Sequence, residues 1–185
     1  MALRVVEVPG FLPPAPCAAL VDFFRKNISA LAAENASPAF SNRQINYGRI
    51  PNELPEKNLI NQCRWRIADV IREAYGVKHV YPDYTDIVYW PPGDGMVAHA
   101  DNANDDGSPN LFAWRTYSSV LYLNDDYEGG NTYFTHLGVE VRPETGKLLA
   151  FGAGSEYQHG VRPITSGNRF TMPMWFTDQL NYVEL

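Results

Sequence analysis

Six short runs of β-branched and aromatic residues constrain this chain most, because each is closed by its own turn signal. They are Thr85–Trp90, Thr116–Leu123, Asn131–Thr135, Val139–Val141, Lys147–Phe151 and Asn168–Phe176. Between them stand Pro91-Pro92-Gly93, Asn124-Asp125-Asp126, Gly129-Gly130, Pro143-Glu144-Thr145-Gly146 and Ser166-Gly167. Many short strands at this spacing predict a β-sandwich or barrel.

The first part of the chain follows a different period. Val5 to Val8 reads as a short strand stopped by Pro9-Gly10. Cys17, Leu20, Val21, Phe24, Ile28 and Leu31 fall on one helical face, with Pro16 near the first turn. Ile60, Cys63, Ile67, Val70, Ile71 and Ala74 share a second such face, with Gly76 as the stop. Glu34 to Pro55, polar and rich in Asn, Ser and Pro, is expected to be a long loop. The expected fold is therefore mainly β (α+β), with two N-terminal helices packed on a double-stranded β-helix of the jelly-roll or cupin-like kind. The length of 185 residues suits one domain, 1–185, with an N-terminal strand and helices over 1–80 and the jelly-roll core over 81–178.

Composition narrows the function. The net charge is −6 and no run of Lys or Arg occurs, which argues against nucleic acid as a partner. Cys17 and Cys63 are the only cysteines, too few for a disulfide framework or a Cys-based zinc site. The N-terminus lacks the apolar core of a signal peptide, and no stretch reaches the ~18 apolar residues of a membrane span. A cytoplasmic protein with no membrane partner is expected.

His99-Ala100-Asp101, His159 and Arg169 carry the chemistry. On a strand, residues i and i+2 point the same way, so His99 and Asp101 can bind one ion. His159, after Phe151-Gly-Ala-Gly, would come from a distant strand. Two imidazoles and one carboxylate are the facial ligand set of a mononuclear non-haem Fe(II) oxygenase, which leaves three positions open. Taken singly, His159 reads as an ordinary core histidine and Arg169 as a strand-end cation. Taken together they have roles, since an arginine fork can hold an anionic co-substrate bidentately. Tyr89, Trp90, Trp114, Tyr117 and Tyr122 would keep such a pocket dry, although core packing explains most of them. Two rivals stay open: a zinc hydrolase and a jelly-roll binding module that merely holds a metal. The zinc-protease signature His-Glu-x-x-His is absent, and neither rival uses Arg169.

These residues resemble the Fe(II)/2-oxoglutarate-dependent dioxygenases, and within them the prolyl 4-hydroxylase-like branch. The resemblance covers Thr85 to Phe176. It implies iron bound by His99, Asp101 and His159, and 2-oxoglutarate held by Arg169, Tyr122 and Tyr89. Tyr122 lies in Arg115-Thr-Tyr-Ser-Ser-Val-Leu-Tyr122-Leu-Asn124-Asp125, which is similar to the strand and turn after the family's first ligand pair. Glu128-Gly129-Gly130-Asn131-Thr132 resembles the Glu-Gly-Gly-Glu-Thr turn, with Asn in place of the second Glu. Arg115 matches a substrate-associated arginine of collagen-type enzymes, and Trp114 and Trp175 are expected to line the substrate pocket.

The resemblance further implies Fe(II), 2-oxoglutarate and O2 as cofactors, with ascorbate as an accessory reductant. The expected reaction is hydroxylation of an aliphatic C–H bond on a prolyl residue of a peptide or protein, or on a free or carrier-bound amino acid. Asp101 is intact, whereas related halogenases have Gly or Ala there. The second Arg of the nucleic-acid-dealkylating relatives is missing from Arg169-Phe-Thr-Met-Pro-Met-Trp175. The loops Glu34–Pro55 and Asn102–Ala113 are placed to cover the site. Asp94, Asp105, Asp106 and Glu128 are read as a solvated acidic surface rather than as a rim that selects a cationic substrate.

Overall fold

Proline opens both helices, at a position where its missing N–H is no loss. The computed structural model describes residues 4–32, 40 and 42–184, and places these helices at α1 (Pro14–Leu31) and α2 (Pro55–Tyr75). Helix α2 ends at Gly76 in the left-handed conformation (φ 65°), as its position after the apolar stripe predicts. The expected faces are the buried ones: Cys17, Leu20, Val21 and Phe24 on α1, and Ile60, Cys63, Ile67 and Ile71 on α2.

Twelve strands are seen among the described residues. In chain order they are β1 (Val6–Val8), β2 (Gln44–Asn46), β3 (Tyr81–Trp90), β4 (Met96–His99), β5 (Arg115–Tyr122) and β6 (Glu128–Gly129). Then come β7 (Thr132–Phe134), β8 (Val139–Val141), β9 (Leu148–Gly152), β10 (His159–Val161), β11 (Ile164–Ser166) and β12 (Arg169–Thr177). A six-stranded sheet runs β1-β9-β5-β12-β3-β2, a four-stranded sheet runs β4-β10-β7-β8, and β11 pairs with β6. Every pairing is antiparallel.

Strand β12 shows how the layers are made. Phe170, Met172, Met174 and Phe176 face the helices and join one apolar core with Leu20, Phe24, Ile67 and Ile71. Each such fully buried side chain contributes roughly 1.5–3 kcal/mol. The alternate residues Arg169, Thr171, Pro173 and Trp175 face the opposite way and line a cavity between the sheets. One strand thus anchors the helices with one face and builds the site with the other.

The expected loop over Glu34–Pro55 is only partly a loop. Residues 33–39 and 41 lie outside the described residues. Gln44–Asn46 forms β2 on the edge of the large sheet, paired with β3 (Gln44 opposite Val88, Asn46 opposite Asp86). Gln and Asn are poor strand formers, and pairing with β3 overrides their propensity.

Candidate metal centre

His99 ends β4 and His159 begins β10, and the two are direct cross-strand partners. Their rings lie 4.7 Å apart, centroid to centroid. Asp101, two residues beyond His99, turns its carboxylate toward both, with Oδ1 3.8 Å from His99 Nε2 and Oδ2 3.8 Å from His159 Nε2. The three potential ligand atoms all lie within 4.8 Å of one another.

The orientation of each ring is fixed from behind. His99 Nδ1 is 3.1 Å from the Val97 carbonyl, and His159 Nδ1 is 3.1 Å from the Tyr157 carbonyl. A carbonyl only accepts, so both Nδ1 atoms carry the proton and both Nε2 lone pairs face the common point. Asp101 is held by its N–H donating to the Ala153 carbonyl and by Ser118 Oγ donating to Oδ2 at 2.6 Å. Burial opposes its ionisation, but His159, His99, Ser118 and Trp175 outweigh burial and hold the carboxyl below the usual range. Burial pushes His159 down, toward the neutral form that ligates metal.

Because Ser118 fixes the carboxylate rotamer, Ser118→Ala should weaken divalent-metal binding by about 10- to 100-fold. Metal titration of the apo-protein measures this. Undiminished affinity would mean that the backbone alone orients Asp101.

Arg169 lines the same cavity, which has a volume of about 160 Å³. It is 1% exposed, yet its Nε and Nη1 have no hydrogen-bond partner. Its guanidinium lies over the Trp90 ring (5.0 Å) and beside Tyr122 (5.6 Å). A buried, unsatisfied guanidinium is costly, and a bidentate carboxylate is the partner its geometry fits. Gly130 makes room for it: at φ 69°, a Cβ there would stand 2.9 Å from Arg169 Cδ. This accounts for the second glycine of the Gly129-Gly130 turn.

Not every expected site residue reaches the cavity. Tyr89 does not: its ring stacks on Phe170 (5.1 Å) on the helix side, and its hydroxyl donates to Asn168 Oδ1. Its neighbours Val88 and Trp90 take the inner face, and Trp90 packs on Arg169 in its place. Tyr122 is wholly buried, with its hydroxyl 2.7 Å from Thr132 Oγ1, so it backs Arg169 through a cavity-lining threonine.

Trp114 stacks on Tyr182 (4.5 Å, 2° between planes) and borders a separate cleft. Arg115 borders that cleft too. Its Nε is paired with Asp83 (2.9 Å), and its guanidinium lies between Phe112 (4.2 Å) and Trp175 (4.4 Å). It therefore supports Trp175 from behind. Trp175 itself lines the cavity beside Asp101.

Sequence reasoning missed Ser118, Thr132, Thr171 and Asp86, all on the cavity wall. Ser118 and Thr171 had a signal, since each sits at inward parity in a strand whose other face is apolar.

Comparison with known proteins agrees with this geometry. The 2OG-Fe(II) oxygenase superfamily model matches residues 85–177. Prolyl 3-hydroxylase 1 of Rattus norvegicus is 38% identical over 89 residues, which are 45% of this chain and 12% of that protein. The Gallus gallus protein of that name is 45% identical over 89 residues, with the same coverage. The chain thus spans only a small part of the curated relatives it matches.

Solved structures match nearly end to end. The viral collagen prolyl hydroxylase of Paramecium Bursaria Chlorella virus-1, a 2OG complex, has a TM-score of 0.70 at 18% identity, over 95% of this chain and 96% of that one. The Pseudomonas putida prolyl-4-hydroxylase has a TM-score of 0.69 at 21% identity, over 96% and 94%. These likenesses show the double-stranded β-helix fold. The family match takes in half of the chain, from β3 through β12, and so the chain belongs to the 2OG-Fe(II) oxygenase superfamily.

Proposed function

We propose that this chain is an Fe(II)- and 2-oxoglutarate-dependent hydroxylase acting on a prolyl residue of a peptide or protein. The observation that carries the reading is one cavity holding both a His99–Asp101–His159 cluster and the buried guanidinium of Arg169, whose Nε and Nη1 have no hydrogen-bond partner. A zinc hydrolase or a simple metal-binding module needs only the first of these.

In this reading His99 and His159 bind iron through Nε2 and Asp101 through its carboxylate. Arg169 pairs with the far carboxylate of 2-oxoglutarate, while Thr132 and Tyr122 set the wall beside it. Iron with 2-oxoglutarate supplies the oxidising power, consuming O2, releasing succinate and CO2, and placing a hydroxyl on an aliphatic carbon. The chain's own work is to orient and to exclude water: Val88, Trp90, Phe151, Val161 and Trp175 give the cavity a mostly apolar lining. Ascorbate would serve as an accessory reductant. The prolyl substrate is supported by the prolyl 3-hydroxylase relatives and by the prolyl-hydroxylase structures, among them a Trichoplax adhaerens enzyme in complex with a peptide fragment (TM-score 0.68, 18% identity, over 94% of this chain and 83% of that one).

The test is an anaerobic addition of Fe(II) and 2-oxoglutarate, followed by air and proline-containing peptides. A visible charge-transfer band needing both additions, then peptide oxidation that needs O2, supports the reading. Turnover of a substrate without O2 or 2-oxoglutarate would overturn it in favour of a hydrolase.

A further inference from the structure

One buried carboxyl in the cavity has no part in holding iron or co-substrate. Asp86 sits on the inner face of β3, 5% exposed, and lines the same cavity as His99, Asp101, His159 and Arg169. It lies four residues along β3 from Trp90, the cross-strand partner of Arg169, and so roughly 13 Å from the co-substrate end. The edge strand β2 flanks it, placing Gln44 on the cavity wall and Asn46 directly opposite Asp86.

Its surroundings leave it without an ion-pair partner among the described residues, the attraction of Arg115 acting only from beyond contact. Its side chain accepts one long hydrogen bond, from Asn46 Nδ2 to Oδ1 at 3.3 Å. The same Asn46 amide is shared with the Thr85 carbonyl and with Glu184 Oε1. The nearby cations have other partners: Arg115 pairs with Asp83, Arg64 pairs with Glu184, and Lys57 donates to the Tyr47 carbonyl. Among the described residues no cation forms an ion pair with Asp86.

Ligand binding would not supply one either. A divalent ion, the Asp101 carboxylate, the Arg169 guanidinium and a dianionic 2-oxo acid together carry no net charge. Asp86 remains over, lining the same cavity. Burial raises its carboxyl to about 7, with Asn46 opposing, Glu184 adding to the rise and Arg115 opposing. Keeping a buried, unpaired carboxyl costs stability, and such groups concentrate where a ligand completes them.

We infer that Asp86 is a specificity-determining residue that accepts a charge-assisted hydrogen bond from a cationic nitrogen of the substrate. Resting on the hydroxylase reading above, this defines the substrate more narrowly. A peptidyl proline has no N–H of its own, so the cation comes either from a Lys or Arg beside it or from the α-ammonium of a free amino acid. Two of the acidic residues read from sequence as a solvated surface rather than a selecting rim have partners of their own: Asp94 is paired with Arg43, and Asp106 with Ser108. The selecting acid is inside the cavity.

The experiment uses the anaerobic Fe(II)–2-oxoglutarate complex of the full chain and follows perturbation of its visible band. The probes are acetyl-Lys-Pro-Gly-amide, acetyl-Gly-Pro-Lys-amide, the Nε-acetyl counterpart of each, L-proline and N-acetyl-L-proline. Each neutral member is compared with its cationic parent on wild type, Asp86→Asn and Asp86→Leu. The expected result is about 10- to 100-fold tighter binding of at least one cationic member by wild type, falling to near parity in both variants. Preference within a lysine pair identifies a peptide side chain as the source, and preference within the proline pair identifies a free amino acid. Parity in wild type, including no binding of any probe, overturns the inference, as does a preference that survives in both variants. A wild-type protein that forms no band before any probe is added overturns the hydroxylase reading, and this inference with it.

Discussion

Replacing His159 by alanine is expected to abolish iron- and 2-oxoglutarate-dependent turnover, by at least about 10³-fold, equivalent to ~4 kcal/mol of lost transition-state stabilisation. The loss should be this large because the ring has no substitute among the described residues. His159 is buried between Phe134 and Phe151, its Nδ1 is bound to the Tyr157 carbonyl, and its register partner is His99. Alanine removes one of three ligand atoms and leaves a hole that the short β10 cannot close. Since a hole also destabilises, His159→Gln provides a variant of nearer volume, and a melting curve for each separates unfolding from loss of metal. Asp101→Gly should behave alike, since the remaining imidazoles have no anionic partner. Turnover preserved in a folded His159 variant would show that the cluster is not the catalytic centre.

The second large effect is at Arg169. Arg169→Leu should weaken 2-oxoglutarate binding by about 10²- to 10³-fold, or ~3–4 kcal/mol, the range seen when one partner of a buried charge pair is removed. The same substitution should raise the melting temperature of the ligand-free protein. There the guanidinium is buried with Nε and Nη1 unsatisfied, and an uncompensated buried charge is destabilising. Adding 2-oxoglutarate should then stabilise wild type, through binding to the folded state, and leave the variant unchanged. An unaltered co-substrate requirement in Arg169→Leu would mean that the cation serves only to pack against Trp90.

The helices and the sheet class were legible because they depend on period. The stripe from Cys17 to Leu31 and the stop at Gly76 needed no tertiary information. Strands β2, β4, β10 and β11 were harder, because runs of three or four residues carry little pattern and form through pairing with longer neighbours. The ligand pair His99 and Asp101 could be read from spacing of two. Trp114 and Arg115 could not be placed: adjacency to a strand start says nothing about which cleft a side chain enters.

What the sequence determined by itself was local: the two helical faces, the alternation in β12, the i, i+2 ligand pair and the presence of a cation after the second histidine. Tertiary structure decided inside from outside. A period of two assigns residues to two faces but does not say which face the helices will cover. Burying Phe170, Met172, Met174 and Phe176 under α1 and α2 turned Arg169 inward, and the antiparallel pairing of β3 to β12 then sent Tyr89 to the helices and Trp90 and Asp86 to the cavity. The meeting of His99 with His159, sixty residues apart, and the burial of the Asp86 carboxyl in the cavity with no ion-pair partner among the described residues follow from that same choice of face.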